Sequence, residues 1–87
     1  MLKEIRNWLE FYAKPGYPDN RAVIDFIECE TREVLNSFKA ELIGIKNGNI
    51  DQKILETILG KKREIQYESY KNWATLMMIW MNDATKQ

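Results

Sequence analysis

With 87 residues the chain has room for one domain and no second core, and 45% hydrophobic residues beside 30% charged ones is the balance of a folded protein rather than a disordered one. Thirteen basic and thirteen acidic side chains cancel, which leaves no overall field for a polyanion and counts against nucleic acid as a partner. The sequence has no histidine and a single cysteine, Cys29, which excludes a Cys and His catalytic pair, a closed zinc site and an internal disulfide within one chain.

The first helix is predicted over residues 2–13, where Leu2, Ile5, Trp8, Leu9 and Tyr12 recur at the three- and four-residue spacing of one helix face. Core packing is the expectation for Trp8, Phe11, Tyr12 and Tyr17. Because Phe11 falls off the stripe, a partly exposed aromatic edge offered to a partner is the alternative there. The segment Lys14-Pro15-Gly16-Tyr17-Pro18 cannot continue the helix: Pro18 has no amide donor and turns Tyr17 away from helical geometry, and Asp19 or Asn20 is placed to cap the amides that follow.

A second helix is predicted over 20–46, with Val23, Ile27, Val34, Phe38, Leu42 and Ile45 on one narrow stripe. Asn47-Gly48-Asn49 tolerates a left-handed helix end, and Asp51 is placed to cap a third helix over 52–83. Gly60 interrupts that helix, but no capping residue follows it. The stripe keeps its phase from Leu55, Ile58 and Leu59 to Trp73, Leu76, Met77 and Trp80, so one continuous helix is expected.

The predicted fold is all-α, a single domain over 1–87 made of a short N-terminal helix and a long antiparallel helical hairpin. At 1.5 Å per residue the third helix would be about 45 Å long, against roughly 30 Å for a small domain. One chain would leave apolar surface uncovered, so a homodimer completing a bundle is expected.

The stretch WATLMMIWM sharpens that expectation. Trp73, Leu76, Met77 and Trp80 project to one face and Ala74, Met78 and Met81 to a second, and a single neighbouring helix covers only the first. Trp73, Met77, Met78, Trp80 and Met81 are therefore the predicted partner or dimer interface, with packing against Trp8 and Tyr12 of the same chain as the alternative. No apolar stretch approaches the roughly 18 residues of a membrane span. The opening MLKEIRNWLEF, broken by Lys and Glu, lacks the apolar core of a signal peptide, so a soluble cytoplasmic protein is expected.

Between the apolar ends of the predicted hairpin lies a polar middle. Lys62, Gln66 and Ser69 on the third helix and Glu30 and Thr31 on the second occupy stripe angles, and pairing about the turn sets Glu30 beside Gln66. A buried polar layer that fixes register is the first reading, and a ligand pocket is the alternative. The run Lys61-Lys62-Arg63, followed by Glu64, reads as a solvated helix face.

Carboxylates are the remaining chemical option. Glu30 and Glu33 have an ExxE spacing that resembles the all-helical nucleotide pyrophosphohydrolases of the MazG type, and the resemblance implies Mg²⁺ held by four carboxylates on facing helices. Glu64 and Glu68 project away from the predicted seam, so such a site would close only across a dimer. The segment IDQKILETILGKKREI resembles the first helix of helical chorismate mutases over one helix alone, and residues 64–87 are too few to supply that family's two further helices. No catalytic, cofactor or metal residue is assigned. The expected function is a small non-enzymatic interaction protein, an adaptor, regulator or inhibitor, bound to itself or another protein with no membrane or small-molecule substrate evident. A Mg²⁺-dependent nucleotide phosphohydrolase is the alternative and a nucleic-acid-binding module the second.

Overall fold

The computed structural model describes residues 1–85. They form six helices, α1 (Lys3–Phe11), α2 (Asp19–Cys29), α3 (Arg32–Lys46), α4 (Gln52–Leu59), α5 (Lys61–Tyr67) and α6 (Tyr70–Thr85), and no strand among the described residues. The all-α class holds and the three-helix count does not. The predicted second helix is α2 plus α3, and the predicted third is α4, α5 and α6. The last two positions of the predicted 1–87 domain lie outside the described residues.

The breaks at Thr31 and Gly60 have local causes. Glu30 is extended (φ −101°, ψ 159°), and Thr31, also extended, accepts the amide of Val34 at 3.3 Å through its hydroxyl and so starts α3 afresh. Gly60 sits at φ 85°, ψ 152°, a region open in practice only to glycine. It ends α4 and begins α5 by backbone freedom, so the capping side chain missing from the sequence is not needed. At Glu68 the backbone reaches φ 74°, ψ −33°, close to the strained γ-turn. Ser69 then accepts the amide of Asn72 at 3.0 Å and caps α6.

Helix α1 begins at Leu2, in a left-handed conformation and without a side-chain cap of its own. Its cap comes from α3: the Glu41 carboxylate accepts the amides of Glu4 at 3.0 Å and Ile5 at 2.9 Å. A negative charge against a helix start is favourable, so one side chain both satisfies two orphan amides and seats α1 on α3. The predicted turn is present as read, with Gly48 at φ 77° and Asp51 accepting the amide of Lys53 at 3.0 Å.

Because the chain turns at Thr31, Gly60 and Glu68, α6 is flanked by both α2 and α3, with α5 beside it and α1 across α2 and α3. The molecule measures 34 × 27 × 20 Å, so a straight helix of about 45 Å would overshoot its longest dimension. Of the apolar stripes read from the sequence, Ile5, Trp8, Val23, Phe38, Leu42, Ile45, Trp73 and Met77 are fully buried, and Phe26 and Met81, which lay off those stripes, join them. Trp8 packs on Phe38 at 5.9 Å and on Trp73 at 6.0 Å between ring centroids, and Phe26 joins them through Phe38 at 4.7 Å. The long hairpin on which the homodimer expectation rested is absent. No helix among the described residues is long and apolar enough to cross a membrane.

Two substitutions test the origin of the breaks by urea unfolding. No atom lies within 4 Å of a Cβ built on Gly60, so the expected loss of about 1–3 kcal/mol in Gly60→Ala reports backbone strain alone. Glu68→Gly relieves the opposite problem and is expected to leave stability unchanged or raise it by up to about 1 kcal/mol.

Candidate functional site

Pro18 fixes the chain at φ −64°, ψ 142° and makes Asp19 the first residue of α2. The Asp19 side chain does not cap its own helix. It points inward, almost fully buried, and its two oxygens accept from four donors: Arg63 Nε at 2.9 Å and Nη2 at 2.8 Å, Trp73 Nε1 at 3.0 Å and the Tyr67 hydroxyl at 3.2 Å. Arg63 thus pairs with the carboxylate in the two-pronged geometry that a guanidinium allows. Its Nη1 donates to the Leu59 carbonyl at 3.3 Å, and its centre lies 5.8 Å from the Trp8 ring. One carboxylate therefore joins the start of α2 to α5 and α6.

This cluster is the buried polar network among the described residues, and it is not the one predicted. Of the five residues expected in a buried layer, Thr31, Lys62 and Gln66 are exposed and Glu30 and Ser69 only half-buried. Thr31 and Ser69 serve as helix caps. Glu30 accepts the Tyr12 hydroxyl, whereas Lys62 and Gln66 face a different depression. The antiparallel register that would have paired them requires the two unbroken helices that the chain does not form. Arg63, read as part of a solvated face, is turned inward to Asp19.

The predicted interface residues divide in the same way. Trp73, Met77 and Met81 are buried within one chain, and Met78 and Trp80 are half-buried against the same core. With α2 and α3 both packed on α6, Ala74 and Met81 of its second face are buried and Met78 half-buried, so intramolecular packing takes Met81 out of the interface reading. Of the aromatic residues in α1, Trp8 enters the core as expected and Phe11 remains 64% exposed.

Two concavities border these elements. The first, of about 420 Å³, lies between the α1–α2 loop and α5 and is lined by Lys14, Tyr17, Lys62, Arg63 and Gln66 among others. The second, of about 510 Å³, is a groove between α1, α2 and α3. Phe11, Tyr12, Phe26 and Val34 line it together with Glu4, Asn7 and Glu30. No three His, Cys, Asp or Glu side chains among the described residues come together in a way that could hold a metal ion. Glu64, one of the four carboxylates of the Mg²⁺ reading, accepts from the side-chain amide of Gln52. Sequence spacing gave no sign of Asp19, because its partners lie 44 to 54 positions away. The only local signal is an Asp immediately after a helix-starting proline.

Two phenols are pushed up to about 12. For Tyr67 burial is the main cause, followed by the Asp19 charge and its hydrogen bond, with Arg63 opposing. For Tyr12 the hydrogen bond to Glu30 leads, followed by burial. Tyr70 is also raised, by burial and then by the charges of Glu64 and Glu56. The chain matches no protein-family model, no curated protein and no solved structure.

The Tyr67 shift has a pH signature. Its folded-state value lies above the ordinary 10.0, so its contribution is complete below pH 10 and is lost as the pH rises towards 12, where the unfolded chain releases its proton first. Urea midpoints measured from pH 9 to 12 are expected to fall less steeply for Tyr67→Phe than for the unaltered protein. Tyr12 and Tyr70 keep part of the slope in both.

Proposed function

We propose that the chain is a small non-enzymatic helical interaction protein that engages another protein through the groove between α1, α2 and α3. The observation that supports this reading is Phe11, 64% exposed at the edge of a concavity whose floor includes Tyr12, Phe26 and Val34. Large aromatic side chains beside an apolar depression are the usual anchors of protein interfaces. Glu4 and Glu30 at the same groove favour a partner segment that presents apolar side chains flanked by Lys or Arg.

The other readings have less to draw on. A Mg²⁺-dependent phosphohydrolase needs converging carboxylates, and Glu30 and Glu64 are each engaged with a different neighbour. A nucleic-acid-binding module would rest on Lys61, Lys62 and Arg63, a run of three followed at once by Glu64 on a chain whose charges cancel. A homodimer is no longer needed to cover Trp73, Met77 and Met81, and it enters as one identity for the partner.

Phe11→Glu tests the groove, with Ile65→Glu, altered at a 77% exposed position on α5, as the control. Both are expected to change stability by less than about 0.5 kcal/mol. Proteins retained from the native host by the unaltered chain should be lost with Phe11→Glu and kept with Ile65→Glu. A dimer in light scattering that Phe11→Glu dissolves would make the partner a second copy. Equal retention by all three chains would refute the groove as the interface.

A further inference from the structure

We propose that the pocket between the α1–α2 loop and α5 binds a small phosphate monoester, with Lys14, Lys62 and Arg63 taking the phosphate and Tyr17 flanking the organic part. The site is separate from the α1–α3 groove and does not depend on that reading.

Charge is the first argument. The pocket wall carries Lys14, Lys62 and Arg63 against a single carboxylate, Asp19, on a chain whose charges cancel as a whole. That carboxylate is turned to Arg63, Tyr67 and Trp73 and so is largely occupied before any ligand arrives. Neither Lys14 nor Lys62 forms an ion pair among the described residues. The pocket is thus a local excess of positive charge with its one anion already satisfied.

Preorganisation is the second argument. A guanidinium has five N–H donors, and Arg63 spends three of them, two on Asp19 and one on the Leu59 carbonyl. Two remain on a group that lines the pocket. Because the ion pair and the Trp8 ring already hold it, little side-chain freedom is lost when an oxyanion binds. Lys62, one residue earlier, and Lys14, across the depression, supply mobile ammonium groups suited to a phosphate as point charges. Gln66 adds an amide.

Shape completes the case for a monoester rather than a bare anion. A volume of about 420 Å³ falls within the range of small-molecule sites, well beyond what one phosphate fills. The remaining wall is Ala13, Pro15, Gly16, Tyr17 and Pro18, and the Tyr17 hydroxyl donates to Asp25 at 2.6 Å, which anchors the ring. Two prolines with restricted φ stiffen this loop. The combination offers a flat, partly apolar surface beside a cationic end.

Titration of the ¹⁵N-labelled full chain with AMP, inorganic phosphate and adenosine, at ionic strength fixed with NaCl, tests the assignment. AMP is expected to give saturable shifts centred on the amides of Gly16, Tyr17, Lys62, Arg63 and Gln66, with phosphate moving the same set more weakly and adenosine moving it little. Lys62→Glu should weaken AMP at least about tenfold while leaving the rest of the spectrum and the urea midpoint unchanged, and Lys62→Arg should retain binding. Shifts that fail to saturate, spread over other lysine-bearing faces or persist in Lys62→Glu would overturn the site. Phosphate binding as tightly as AMP would overturn the monoester assignment.

Discussion

Burying the Asp19 carboxylate takes a full charge out of water, a step that costs several kcal/mol unless donors replace the lost solvent. Here four donors from three side chains do so, and they come from the two ends of α5 and from α6. The arrangement can be satisfied in only one way: the start of α2 must meet Arg63, Tyr67 and Trp73 together. Apolar packing of Trp8, Phe26, Phe38 and Met77 supplies most of the driving force for collapse. It is non-directional, and the carboxylate fixes which helix start lies against which helix face.

That constraint shapes both surfaces of functional interest. Holding Arg63 in place sets the floor of the cationic pocket, and drawing α2 onto α6 separates α2 from α3 enough for both to flank the Met and Trp faces of α6. With α6 enclosed, α1 is left to close the other side of α2 and α3, seated by Glu41. Its off-stripe Phe11 then has no neighbour to cover it and stands at the edge of the groove. The interaction surface proposed for the chain has thus moved from α6 to α1.

Much of this was legible in the amino-acid sequence, and the limit has a physical origin. The inward phases of Leu42, Ile45, Leu55 and Trp73, the Asn47-Gly48-Asn49 turn and the Asp51 cap all follow from spacing and local backbone chemistry. The breaks at Thr31 and Gly60 lie on stripes that stay in phase across them, so periodicity cannot reveal them. Glu68 adopts a positive φ that its own residue type disfavours, and only the surrounding packing can impose it. Arg63 in a run of three basic residues looks solvated from its neighbours. Its inward turn depends on a carboxylate 44 positions away, which no local rule connects to it.

Whether Asp19 and Arg63 act as one unit is best measured by a double-mutant cycle, with urea unfolding of Asp19→Asn, Arg63→Met and the pair together. Each single change is expected to cost about 3 kcal/mol, towards the low end for breaking a buried pair because 21% of the Arg63 side chain is exposed. The double variant should lose less than the sum, with a coupling of about 2 kcal/mol. Additivity within about 0.5 kcal/mol would contradict the central role of this ion pair and leave the fold to apolar packing alone.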